Sequence, residues 1–305
     1  MDIFQQEFIR NAFMAGAVVA VLTAIVGYFV VMRAEAFAAH ALSHIGFAGA
    51  TGAALIGISS LYGMLGLTVG AGLVIGALEN RLRERHVEIG MVLAFSLGLG
   101  VLFLHLYTRG ATEAVAILFG SILSVEPGEI HGMLILGACA LLALAVMFRP
   151  LTFASIDPET AEARGVPVHA VSIAFMLLLA ITVAEVVQVV GILLMFALLI
   201  APPAIAQHLF RRPAAVILAA AVMGVAFTWL GLLLAIWTPY PVSFYIAGGA
   251  TLSYLIVVGL SHLIRPHRFR PPEHPDREFV DHPQHQHAHP HPHSHDHAHS
   301  HTHTH

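Results

Sequence analysis

Nine apolar stretches of about 20 residues follow one another along this chain, at 12–31, 36–58, 61–78, 88–107, 131–148, 168–186, 187–207, 214–236 and 242–263. A helix of about 20 residues crosses the roughly 30 Å hydrocarbon core of a bilayer. Only a helix or a closed barrel satisfies its own backbone there without water. Of the 305 residues, 57% are hydrophobic and only 10% charged, whereas soluble domains carry about 25% charged residues. A water-soluble globule is excluded. The pattern predicts an all-α fold, a polytopic transmembrane helical bundle of about nine spans. The range is eight to ten, because 114–125 (AVAILFGSILSV) is apolar but short and reads as a half-helix or re-entrant piece.

Orientation follows from arginine alone, since all 14 basic residues are arginine and lysine is absent. Arg33, the Arg81/Arg83/Arg85 cluster, Arg149, Arg164, Arg211, Arg212, Arg265, Arg268 and Arg270 alternate with the nearly uncharged loops 59–60, 108–113 and 237–241. The arginine side is therefore cytoplasmic and the N-terminus lies outside. An acidic start (Asp2, Glu7) and a first apolar run of full spanning length read as a retained span, not a signal peptide. The expected location is the plasma (inner) membrane, with residues 1–265 as the transmembrane domain.

Histidine is the compositional anomaly. Of 22 histidines, 14 lie from His267 onward, and His285, His287, His289, His291, His293, His295, His297, His299, His301, His303 and His305 occupy every second position. That segment has no apolar residue larger than alanine, so it cannot bury enough surface to offset its ordering entropy. Residues 266–305 are expected to form a disordered cytoplasmic tail and a flexible multidentate metal chelator. The lone Cys139, in an apolar run, rules out an intrachain disulfide and reads as a buried small hydrophobe.

Within the spans, His40 and His44 stand at i and i+4, so both imidazoles project from one helix face at a spacing that suits one shared transition-metal ion. Intramembrane histidines are costly unless they face the bundle interior or a watery path. Glu185 and Gln188 share a face near the outer end of their span and are candidates to line an ion path. His86, His105, His131 and His208 read as satisfied interfacial histidines. Pro202-Pro203 is expected to end or kink its helix. The pairs Gly66/Gly70 and Gly72/Gly76 read as close-packing positions for the chain's own helices.

The loop 149–167 differs from the others. Asp157, Pro158 and Glu159 make a helix start, and a helix of about two turns running past Ala163 is stopped by Gly165. A short amphipathic helix there suits docking of a soluble cytoplasmic partner.

Five segments carry a resemblance: HALSHIGFAGATGAAL at 40–55, ILFGSIL at 117–123, SIDPETAEARGVP at 155–167, VVQVVGILLMFALLIAPPAIA at 186–206 and TPYPVSFYIAGGATLSYLI at 238–256. By their order and spacing, the chain resembles the integral-membrane permease subunits of ATP-binding-cassette importers for zinc and manganese. In that family the matching span carries an acid and, four residues later, a histidine that help coordinate the passing ion. Here His44 matches the histidine, and His40 stands where the acid would be.

The resemblance implies a conduit, not an enzyme, with no permanently bound cofactor and a transported divalent metal. The implied partners are a cytoplasmic ATPase docked at Asp157–Gly165, an extracytoplasmic solute-binding protein, a second permease copy in a homodimer and the lipid bilayer, with no nucleic acid. No phosphate-binding glycine loop with its lysine exists in this chain, so the ATPase is another polypeptide. Replacing a hard carboxylate by borderline imidazole nitrogen favours zinc, nickel or cobalt over manganese, and Zn2+ is the expected ion. The alternatives are manganese, nickel or cobalt as the ion, a stand-alone metal transporter without an ATPase, or an importer permease for siderophores or cobalamin.

Overall fold

The computed structural model describes residues 6–77, 85–107, 117–120 and 122–264. Among them all regular structure is helical: α1 (Glu7–Met32), α2 (Ala36–Leu55), α3 (Ser60–Ala77), α4 (Arg85–Leu106), a 3-10 turn (Ile122–Ser124), α5 (Pro127–Ile156), α6 (Pro158–Ala163), α7 (Val168–Leu209), α8 (Pro213–Trp237) and α9 (Val242–Ile264). The helices up to Ile264 belong to one compact unit. Arg81 and Arg83, the loop 108–113 and the histidine tail lie outside the described residues.

Seven helices among the described residues are long and apolar enough to cross a membrane: α1, α3, α4, α5, α7, α8 and α9. The expected count of nine differs at two places. Helix α2, 20 residues long, is rich in alanine and glycine and carries two histidines, so it lacks the hydropathy of a lipid-facing span. Its neighbours are protein instead, and most of its residues are buried. The second difference is α7, where the two stretches 168–186 and 187–207 form one 42-residue element.

A straight helix of that length would measure about 63 Å, twice the hydrocarbon core. The packing of α7 on α1 shows that it is not straight. Phe175 packs edge-on against Phe29 with ring centroids 6.2 Å apart, while the Gln207 side chain donates to the carbonyl of Tyr28 at 3.2 Å. Adjacent residues of α1 thus touch α7 residues 32 positions apart, so the two arms run back alongside each other. The reversal sits at Gly191, the one non-helical residue inside α7, with φ 79° and ψ 166°.

Gly191 needs to be glycine twice over. Its φ lies where a Cβ is strained, and a Cβ there would run into Gly120 and the carbonyl of Leu118. Gly120 has φ 79° as well, and a Cβ on it would strike the backbone of Val190. Of the segment 114–125, residues 114–116 and 121 lie outside the described residues; the rest is helical at 117–119 and in the 3-10 turn, and Gly120 presses on the α7 reversal.

Pro202 and Pro203, expected to break α7, lie inside its second arm, which continues to Leu209. Pro203 deprives the Leu199 carbonyl of its helical donor, and at that point α1 comes so close that a Cβ on Gly27 would collide with this carbonyl. Tertiary packing covers the group the proline leaves open.

Small residues hold the other helices together. A Cβ on Gly49 of α2 would collide with the backbone of Gly63 in α3, and a Cβ on Gly63 with that of Gly49. Gly72 and Gly76 bring α3 against Met176, Ala180 and Ile173 of α7, as expected, whereas Gly66 and Gly70 face open space. Cys139 is exposed, not buried, because it lies on the outward face of α5. That perimeter carries Met91, Phe95, Leu142, Val146 and Leu218, an apolar surface suited to lipid and not to water.

A Gly191→Ala substitution is expected to destabilise the protein by at least the roughly 1–3 kcal/mol of a strained backbone, seen as a lower melting temperature in detergent. Gly66→Ala, which meets nothing within 4 Å, is expected to leave the melt unchanged.

Candidate metal path and coupling loop

Four histidines within helices make a comparison. His131 and His208 each set Nδ1 against the carbonyl four residues back, Pro127 O at 2.7 Å and Ala204 O at 2.8 Å. Both rings are satisfied within their own helices, as expected. His40 and His44 behave differently, because both Nδ1 atoms are buried without a hydrogen-bond partner. An unmet buried polar atom is costly, more so in a bilayer. Here two of them stand one turn apart.

The rings of His40 and His44 meet edge to face with centroids 4.7 Å apart. On its other side the His40 ring packs against Phe196 of the second α7 arm, at 5.0 Å. Phe196 also walls a cavity of about 500 Å3 between the α1–α2 turn, α7 and α9. Helix α2 is rigidly backed: Gly46 and Gly49 seat it on α3, and Phe47 and Gly52 meet Gly100 and Phe103 of α4. Two borderline nitrogen donors are thus held on a fixed scaffold. No group of three or more His, Cys, Asp or Glu side chains capable of holding a metal occurs among the described residues.

Glu185 and Gln188 lie elsewhere. Both line a separate cavity of about 220 Å3 that neither histidine borders. Glu185 is 3% exposed, and its carboxylate oxygens make no well-formed hydrogen bond, the Gly137 backbone N–H being the donor near them. Gln188, one turn on, is exposed. The first arm of α7 continues to Val190, so Glu185 and Gln188 lie in its last two turns.

The loop 157–165 folds as its residues dictate. The Asp157 side chain accepts from the Thr160 amide at 3.0 Å and from the Thr160 hydroxyl, Pro158 opens the helix, and Gly165 (φ 84°) closes it. Ala161 is the buried anchor, while Pro158, Glu159, Glu162, Ala163 and Arg164 are exposed. The Thr160 hydroxyl and then its amide hold the Asp157 carboxyl below its ordinary pKa.

One buried ionic tie escaped the sequence. Arg33 at the end of α1 donates through Nε to Glu35 at 2.9 Å, with side chains 7% and 6% exposed. Its Nη2 donates to Ser172 of α7 at 2.8 Å and its Nη1 to Ser155 of α5 at 3.4 Å. Ser155 and Ser172 flank α6 on either side, and Glu35 precedes α2. The guanidinium therefore ties the exposed loop to the helix bearing His40 and His44. An arginine followed two residues later by an acid was the available signal, but its partners lie 122 and 139 residues away.

The pattern described as the ABC 3 transport family matches residues 5–261. The chain belongs to the ABC 3 transport family. Among its relatives, the manganese transport system membrane protein MntC of Halalkalibacterium halodurans is 28% identical over 252 residues, covering 82% of this chain and 84% of that one. The manganese import system permease protein ScaB of Streptococcus gordonii is 27% identical over 263 residues, covering 85% and 92%. Among solved structures, PsaBC from Streptococcus pneumoniae in complex with Fab superposes with a TM-score of 0.75 at 25% identity, covering 84% of this chain and 92% of that one. As a member of this family the chain is a multi-pass membrane permease subunit of a metal ABC importer.

A lowered carboxyl pKa means that the Asp157 cap stabilises α6 above the ordinary carboxylate range and is lost as pH falls through the lowered value. Hydrogen exchange corrected for intrinsic rates should show the amides of residues 160–164 protected at neutral pH and losing protection in acid. In Asp157→Ala they should exchange fast throughout.

Proposed function

We propose that the chain carries a divalent transition metal, most readily Zn2+, through the membrane, with His40 and His44 as its ligands in transit. The observation behind this reading is the pair of buried, unpartnered imidazole nitrogens on one turn of α2. Two imidazoles suit zinc, nickel or cobalt better than a hard ion. Zinc is almost always four-coordinate, so two positions remain for water, for the delivering protein or for the same helix of a second permease copy.

Manganese is the second reading, favoured by the names of the relatives MntC and ScaB. One substitution separates the two. His40→Asp restores a hard oxygen at this position and should move uptake preference toward manganese, whereas His40→Ala should nearly abolish zinc uptake. Zinc import by His40→Ala at the wild-type rate would remove the histidine pair from the path.

The partners in this proposal are a cytoplasmic ATPase docking on the exposed face of α6, an extracytoplasmic solute-binding protein and a second copy of the permease. Reversal of α7 at Gly191 and the burial of α2 support nine crossings, with the arginine-rich ends and the tail in the cytoplasm. ATP binding on the partner would shift the population of inward and outward arrangements. Arg33 gives that shift a route, from Ser155 and Ser172 beside α6 to Glu35 and on to His40, five residues further. Arg33→Gln is expected to leave ATPase assembly intact and to cut metal uptake per ATP hydrolysed.

In this reading the tail histidines, His285 to His305, receive or buffer ions on arrival and slow import when filled. Deleting 266–305 should raise zinc uptake at high zinc and leave it unchanged at low zinc. Identical curves at all concentrations would assign the tail no part in transport.

A further inference from the structure

A buried acid in a membrane helix is expensive, since an ionised carboxylate needs a partner and a neutral one still needs hydrogen bonds. Glu185 has no ion partner among the described residues: it is 3% exposed, its oxygens make no well-formed hydrogen bond, and the Gly137 backbone N–H is the donor near them. An apolar residue would fill this place at lower cost if packing were its only role. Gly137 of α5 lies against the carboxyl, and one backbone N–H is too little to satisfy four lone-pair positions.

The cavity in front of it runs to the surface. Its walls include Glu185, Gln188, Glu129, Met133, Val125 and Leu61. Gln188 and Glu129 are exposed and stand at the mouth, while Glu185 forms the floor. Leu61 and Glu129 stand in the first turns of α3 and α5 and Val125 just before α5, opposite the Arg33 end. A volume of about 220 Å3 holds several waters at about 30 Å3 each, so a hydrated ion fits. Two carboxylates and one amide line the cavity, with no cationic side chain among its walls.

We propose that Glu185, with Gln188 and Glu129, forms an oxygen-lined station for a hydrated divalent cation, upstream of and separate from the histidine pair. The inference takes the direction of travel from the importer reading but not the identity of the ion. Carboxylate, carboxamide and water oxygens are hard donors of the kind that suit Mn2+, Mg2+ or Ca2+. The two acids are not gathered into a closed ligand cluster, so water completes the shell and the ion is held loosely enough to move on. The chain thus presents a hard, hydrated station first and a borderline nitrogen pair second, and ions must shed water between them.

The test is Mn2+ binding followed by the electron paramagnetic resonance signal of the free ion, with the full-length permease assembled with its ATPase in nanodiscs. Tail histidines are present in every variant and cancel in the comparison. A His40→Ala/His44→Ala protein is expected to keep one Mn2+ site per chain. Adding Glu185→Gln, which preserves volume and removes charge, should raise the half-saturating Mn2+ concentration about tenfold or more, as loss of an anionic ligand implies. Glu185→Asp, which keeps the charge, should recover part of that loss and guards against a folding artefact. A titration unchanged by Glu185→Gln, or a histidine double variant with no Mn2+ site, would overturn the proposal. If the double variant imports zinc normally while Glu185→Gln still removes the Mn2+ site, the histidine reading fails and this one stands.

Discussion

Gly191 and Gly120 meet where α7 turns back, and the interior of the bundle depends on that contact. Without the reversal, α7 would be a rod about twice as long as the membrane is thick. With it, one arm packs on α1 through Phe175 and the other through Leu199, Pro203 and Gln207. The same fold brings Phe196 of the returning arm against His40 and leaves Glu185 of the outgoing arm facing α5. Both polar stations are therefore set by one glycine pair whose backbones approach more closely than any side chain permits.

Lipid sharpens the meaning of every unmet polar atom, because no bulk water stands ready to satisfy it. Most polar side chains within the helices find an answer locally: Thr23, Thr51, Thr68 and Thr228 each donate to a carbonyl one turn back. His131 and His208 use the same device. His40 and His44 do not, and Glu185 has no more than the Gly137 backbone N–H near its carboxyl; these are groups whose chemistry fits a cation. Arg33 is the opposite case, a buried charge surrounded by acceptors from two helices and the α1–α2 turn, and such a network serves to hold elements together.

Local chemistry was readable from the sequence and distant packing was not. Asp157-Pro158 announces its helix because a cap acts within three residues, and the i, i+4 spacing of His40 and His44 fixes their shared face. Span length alone sets the expected break in α7 at 186/187, and proline, the stronger local signal, sets an end or kink at Pro202-Pro203. Gly191 prevails since Gly120, 71 positions earlier in the chain, fits only there, and Gly27 shelters the carbonyl the proline exposes. Helix α2 falls short as a lipid-facing span for the same reason that it suits a site: it is wrapped by protein. Cys139 looked buried because its neighbours in sequence are apolar, yet an apolar face can equally point to lipid.

The central claim is that α2 offers two imidazoles to one ion. Zinc K-edge X-ray absorption on the assembled permease lacking residues 266–305 addresses it directly. The account predicts nitrogen scatterers at about 2.0–2.1 Å with the outer-shell pattern of imidazole, lost in His40→Ala/His44→Ala. A shell of oxygen alone, or an imidazole signal that survives the double substitution, would contradict it.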